Sequence, residues 1–201
     1  MAIKGLSKPT FGKYVNTSGT ISYTDGVACG HAISYTFDPS IDDDNPLYGD
    51  NMIVEHDFGH FKNGTLTLGT SELPDTVAAM LLGLTKVTKT IGEGTGALTV
   101  DQYFYDDDSA AIDVGIGFIE EHQVDDVDYY KAIVLPRCKK KFDSRSATTR
   151  GETIDWQTPS ITFSVERSED AKHSWFIESK LLSSEADAQT YLNAVLGVSA
   201  G

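Results

Sequence analysis

Ile112, Val114, Ile116 and Phe118 alternate with Asp113, Gly115 and Gly117. A period of two puts the four apolar side chains on one face of an extended chain and leaves small or polar residues on the other. The pattern recurs where Ile33, Tyr35 and Phe37 interleave with Ser34 and Thr36. An α-helix, with about 3.6 residues per turn, does not satisfy it. Runs of this kind, broken by turn residues, commit the chain to antiparallel sheet folded over a core.

Reading outward from these two runs gives strands near residues 28–37, 52–61, 65–68, 111–121, 127–136 and 139–146. A hairpin-like pair follows at 152–157 and 160–166, and a last short strand near 175–178. Asn63-Gly64, between two apolar runs, reads as a tight hairpin turn, since both central residues of such a turn need positive φ. Residues 74–82 read as a short helix. Pro74 suits its first turn, Val77, Met80, Leu81 and Leu84 form its apolar stripe, and Gly83 suits its C-terminal cap. A second helix spans 185–196. Ser183 or Ser184 caps it, Glu185 and Asp187 lie in its first turn, Ala188, Tyr191, Leu192, Val195 and Leu196 face inward, and Gly197 ends it.

The fold class that follows is α+β and mainly antiparallel β: a sandwich or barrel with one or two flanking helices and long extended loops. At 201 residues the chain suits a single domain covering 1–201. Residues 1–27, punctuated by Gly5, Gly12, Gly19 and Gly26, read as an N-terminal arm holding one short strand near 11–15. Residues 38–51 (DPSIDDDNPLYGDN) read as a long inter-strand loop, either a solvated excursion or a contact arm. Residues 84–100 are Thr- and Gly-rich. The order strand, turn, strand, helix at 52–83 echoes that at 152–197, which suggests pseudo-two-fold symmetry within the domain.

The chain carries 30 acidic and 16 basic residues, a formal net charge of −14. Gripping nucleic acid needs a basic footprint, so that class is disfavoured, although lying beside nucleic acid is not. Cys29 and Cys138 show no metal spacing and no disulfide framework, and are expected to be reduced thiols. The N-terminal segment lacks the apolar core of a signal peptide. No stretch approaches the roughly 20 apolar residues of a membrane helix. Folding in the cytoplasm without a membrane anchor is the expectation.

Motifs for catalysis are missing: no G-x-S-x-G, no Walker loop, no H-E-x-x-H. Ile91 to Gly96 (IGEGTG) has loop-like glycines but leads into a strand, so it lacks the helix dipole that favours phosphate. His56 and His60 are expected to share a strand face with Phe58 between them, as structural residues and not metal ligands. Acidic clusters at Asp42–Asp44, Asp106–Asp108 and Asp125–Asp128 lack calcium-loop spacing. No carboxylate pair stands out for glycoside hydrolysis. No catalytic residue, metal or cofactor is therefore expected. The one basic run is Arg137, Lys139, Lys140, Lys141 and Arg145. It reads as a solvated sheet edge, as half of a charge-matched contact with Asp42–Asp44 or Asp125–Asp128, or least readily as a nucleic-acid patch.

Several segments in order carry a family resemblance: Leu47-Tyr48-Gly49-Asp50-Asn51; Asn63-Gly64-Thr65-Leu66-Thr67-Leu68-Gly69; the helix ending Leu81-Leu82-Gly83; Gly115-Ile116-Gly117-Phe118; Tyr129-Tyr130-Lys131; and Thr148-Thr149-Arg150-Gly151-Glu152-Thr153-Ile154, followed by Thr158-Pro159 and the C-terminal helix. The chain thereby resembles the major tail (tail tube) proteins of long-tailed bacteriophages and prophages over most of its length. The resemblance implies a virion structural protein, not an enzyme, that assembles in the host cytoplasm. Its subunits would form hexameric rings stacked on a tape-measure protein, meeting a tail terminator and distal tail or baseplate proteins. Phage DNA would pass through the bore without specific binding. Subunit contacts are expected at Asp42, Asp43, Asp44, Leu47, Tyr48, Lys139, Lys140 and Lys141, and lumen-facing carboxylates at Glu55, Asp57 and Asp113. The arm at 1–27, the loop at 38–51 and the tail after Gly197 are expected to order on assembly. The competing expectation is a secreted β-sandwich adhesin or carbohydrate-binding module using Tyr103, Phe104 and Tyr105 as a platform; an enzyme with paired carboxylates is the third.

Overall fold

The computed structural model describes residues 2–142, 146–149 and 156–199. The chain opens with a long hairpin, β1 (Ala2–Thr17) and β2 (Thr20–Ala28). Ser18 and Gly19 turn it with positive φ, and the Asn16 side chain accepts from the Gly19 N–H at 2.8 Å. Residues 2–17 are thus sheet and not an arm, which corrects the sequence reading. The glycines taken there for breaks are mostly points of close packing.

β3 (Ala32–Ile41) and β6 (Phe61–Thr70) pair, as do β9 (Asp113–Val124) and β10 (Val127–Lys140). With β11 (Ser160–Glu166) they form one antiparallel sheet in the order β2-β1-β9-β10-β11-β6-β3, and the short β12 (Ile177–Glu178) adds to β10. The sheet curls, because its last strand packs back over its middle: the Tyr35 ring of β3 lies 4.4 Å from that of Phe118 on β9. The result is a β-rich α+β fold.

The alternation at 112–118 works as expected. Val114, Ile116 and Phe118 point into the curl beside Phe11, Leu66, Leu68, Ile133, Leu135 and Phe163, all fully buried. The helix α1 (Asp75–Leu82) adds Val77 and Leu81 to this core and stops at Gly83 in the left-handed region, φ 62°. A second core lies on the other face. There Ile119, Ala132 and Val134 meet Ala188, Leu192 and Leu196 of α2 (Glu185–Leu196). The two helices therefore serve different cores, and the echo between 52–83 and 152–197 does not extend to helix placement.

α2 keeps its expected bounds. Ser184 is its N-cap, accepting from the Asp187 N–H at 3.1 Å, and Gly197 ends it at φ 67°. A Ser184→Ala variant should lose about 1 kcal/mol in denaturant unfolding, the usual worth of such a cap. The tail beyond the helix is docked: Val198 bridges Gly26, and the Gly26 N–H donates to the Gly197 carbonyl at 3.0 Å.

Three further readings need correction. Asn63-Gly64 is no turn; it lies inside β6, where Gly64 pairs with Pro39 and Val165. Glycine is needed there because a Cβ would sit 2.6 Å from the Phe37 ring. The strand expected at 139–146 is not separate, since β10 continues through a bulge between Leu135 and Cys138 as far as Lys140. The loop at 38–51 is largely strand, β3 running to Ile41 before a second hairpin starts. The strand expected at 152–157 falls mostly outside the described residues.

Candidate assembly surface

Two hairpins stand apart from the main sheet. The first joins β4 (Asn45–Gly49) to β5 (Met52–Asp57) through Asp50 and Asn51, both at positive φ. Its base is pinned where the Asp42 N–H donates to the His60 carbonyl at 2.9 Å. Leu47, Tyr48, Met52, Val54 and Phe58 are 59–73% exposed, and every residue of β5 is exposed. A two-stranded hairpin is marginal in water unless something packs on it.

The second hairpin joins β7 (Thr85–Ile91) to β8 (Leu98–Phe104). The IGEGTG segment forms its turn, with Gly92 and Gly94 at positive φ. Its faces differ sharply. On one, Lys86 pairs with Asp101 at 2.7 Å and the Thr88 hydroxyl donates to the same carboxylate at 2.7 Å. The Lys86 ammonium and then the Thr88 hydroxyl hold the Asp101 carboxyl below the usual carboxylate range. The other face carries Val87, Ile91, Leu98, Val100 and Phe104, all exposed, interleaved with Thr85, Lys89 and Gln102. Tyr103 and Phe104 are neighbours on β8 and so point to opposite faces, which leaves Tyr103, Phe104 and Tyr105 without a common platform.

The residues expected at subunit contacts divide into two groups. Asp42, Asp43, Asp44, Leu47 and Tyr48 are all exposed on or beside the first hairpin. Asp44 holds the His56 Nδ1 at 2.7 Å, and Asp42 lies 3.6 Å from the Lys62 ammonium. His56 stacks on Phe58 at 5.4 Å, but β5 ends at Asp57, so His56 and His60 do not share a strand. Among the described residues no cluster of three metal-ligating side chains occurs.

The basic run behaves differently from expectation. β10 lies between β9 and β11, so Lys139 and Lys140 are not on a sheet edge. Lys139 reaches Asp113 at 3.3 Å. Lys140 is buried, 7% exposed, and its ammonium donates to the Lys141 carbonyl at 3.0 Å, which removes it from the contact surface. Lys141 is exposed beside Thr65. Arg145 lies outside the described residues.

The three lumen candidates also separate. Glu55 and Asp57 are exposed on β5. Asp113 is half-buried, held by Arg137 through Nε and Nη2, both at 3.0 Å, as well as by Lys139. Arg137 also binds Glu169 at 2.9 Å and lies over the Tyr14 ring. The structure brings Asp113 and Lys139 together, although the sequence assigned them to different surfaces.

One polar cluster went unread. Glu120 and His122 continue the inward phase of β9 beyond Phe118, and both are buried. His122 Nε2 lies 2.9 Å from Glu120 Oε2, while the Tyr35 hydroxyl donates to Glu120 Oε1. Burial, then this bond to Glu120, pushes the Tyr35 phenol above its ordinary pKa. The phase of the alternation was the signal that would have found it. Cys29 and Cys138 are free and buried, and burial pushes the Cys29 thiol up to about 11. No helix among the described residues is long and apolar enough to cross a membrane.

No protein-family model matches the chain, and no curated protein does.

Proposed function

We propose that the chain is the repeating subunit of a tube of the phage tail type: a structural protein that binds its own copies and leaves an acidic bore for DNA. The observation that carries this is the pair of hairpins. Each exposes apolar side chains that a lone molecule leaves in water, and each joins a body that is complete without it. Contiguous exposed apolar surface marks an interaction site. Head-to-tail contacts generate rings when the rotation closes, and stacked rings extend into a tube.

The charge supports the same reading. A wall carrying net negative charge does not grip phosphate. Glu55 and Asp57 are free to line such a wall, whereas Asp113 is neutralised within its own subunit. In this role the protein stacks as rings, hexameric by the family resemblance, around a tape-measure protein and between a terminator and distal tail proteins. It assembles in the host cytoplasm for incorporation into the virion. Concentrated protein seeded with tail initiators should give long tubes of uniform diameter by negative-stain microscopy. Small discrete particles alone, under all seeding conditions, would overturn the reading.

A further inference from the structure

Each of the two outlying hairpins has a face that mixes exposed apolar side chains with charge, and the charges are opposite. On the first, Leu47 pairs with Glu55, Gly49 with Met52 and Asn45 with Asp57, so these residues share a face. Val54 belongs to it as well. It is the extra residue at the bulge in β5, and a Cβ placed on Gly49 would sit 2.7 Å from its Cγ2. Leu47, Met52 and Val54 are exposed, and Glu55 and Asp57 stand beside them. Residues 45–57 include Asp50, Glu55 and Asp57 and no lysine or arginine.

The second hairpin is balanced as a whole, Lys86 and Lys89 against Glu93 and Asp101. Its two faces are not. Lys86 and Asp101 satisfy each other on the polar face, and Glu93 lies in the turn. Lys89, opposite Val100, is the sole charge on the apolar face.

We infer that the Leu47, Met52 and Val54 face of the first hairpin docks on the apolar face of β7–β8 in a second copy, with Lys89 set between Glu55 and Asp57. The inference rests on the self-assembly reading and names the two surfaces that meet. The contact is face to face, as in two packed sheets about 10 Å apart, and adds no strand to an open edge. Each hairpin is marginal alone, and stacking covers the apolar face of both. Burial supplies the strength and charge selects the partner.

Charge also decides what covers the first hairpin. Two first hairpins would set carboxylate against carboxylate. The groove between β1 and β3, where Ile3 and Ile33 are exposed, is no better. Its Lys4 is shared by Glu121 at 3.2 Å and Asp128 at 2.9 Å, and Asp125 and Asp126 form the adjoining turn. Of these surfaces, only the β7–β8 face offers a cation without a carboxylate. The mating faces also differ from one another, so each contact leaves an unused face at either end and the row of copies can grow. A self-complementary face would stop at a dimer.

Charge exchange between copies tests this. Glu55→Lys alone and Lys89→Glu alone should each raise the protein concentration needed for tubes about tenfold or more. Both side chains are exposed, so both variants should melt with the parent. Mixed in equal amounts the two should assemble again, because each meets the complementary face of the other. Separately, protein with the parent charges and both Leu47→Cys and Val100→Cys should be joined between copies by a short bismaleimide in tubes and not in dispersed monomer; the native thiols are buried. Tubes without that cross-link overturn the inference and leave the tube reading standing. Single variants that assemble like the parent, or a mixture that stays dispersed, overturn the match of Lys89 to Glu55. Joining of Leu47→Cys to Ile33→Cys instead overturns the choice of surface. A parent that assembles under no seeding condition overturns the tube reading, and this inference with it.

Discussion

A Gly26→Val variant is expected to melt about 6–12 °C below the parent, corresponding to about 3 kcal/mol for a chain of this size. A Cβ at Gly26 would lie 2.5 Å from the Leu196 carbonyl oxygen, 2.5 Å from the Val198 nitrogen and 2.6 Å from the Gly197 carbonyl carbon. All three are backbone atoms, so no side chain can swing aside, and the end of α2 has to lift from β2. Lifting it exposes Leu196 and loosens Leu192, both fully buried. It also breaks the bond from the Gly26 N–H to Gly197. The matched control is Gly96→Ala, where a Cβ meets nothing within 4 Å and φ is not in the left-handed region. That variant should melt with the parent. Equal melting of Gly26→Val and the parent would show that α2 is not seated as described.

That contact explains what the sequence concealed. Gly12, Gly26, Gly115 and Gly117 read as interruptions or as the polar phase of a strand, yet they are where the C-terminal helix and its cap lie against the sheet. At Gly117 a Cβ would sit 2.8 Å from both Leu192 and Leu196. A contact between residues this far apart in sequence leaves no local periodicity, so the first 27 residues looked like an arm. Asn63-Gly64 failed for a related reason, because its glycine answers to the ring of Phe37 and not to a turn. Patterns that depend only on neighbours were legible: the inward phase of β9, the bounds of α2, its Gly197 cap, and an N-cap at Ser183 or Ser184, of which Ser184 fills the role. At the candidate surface, residues 38–51 stood out as acidic and rich in turn residues but read as a loop, and their pairing with β5 as a hairpin was not legible. The one-sidedness of β7–β8 emerges only from its register, in which Ile91 faces Leu98 and Lys86 faces Tyr103. Lys139 and Asp113 were each read as surface charges because their pairing across β9 and β10 is set by a bulge.

Shortening the first hairpin separates folding from assembly. Replacing residues 43–59 by Asn-Gly would connect Asp42 to His60 through a two-residue turn of the kind that favours this dipeptide. The strands to be joined are already paired at Ile41 and Phe61, and the Asp42 N–H already donates to the His60 carbonyl. The deleted segment contributes no residue to either buried core. The expected product is therefore a folded monomer whose melting temperature stays within about 2–4 °C of the parent, the shift that about 1 kcal/mol produces at this size. It loses Leu47, Tyr48, Met52, Ile53, Val54 and Phe58 at once, the exposed apolar side chains the first hairpin offers to a neighbour. Sedimentation should find monomer at concentrations where the parent pellets as tubes, and microscopy should find no tubes even with initiators added. Normal tubes from the shortened protein would show that the hairpin is only a solvated excursion and that assembly proceeds through other surfaces. A variant that unfolds would instead show that the hairpin supports its own subunit, contrary to its exposure along the whole of β5.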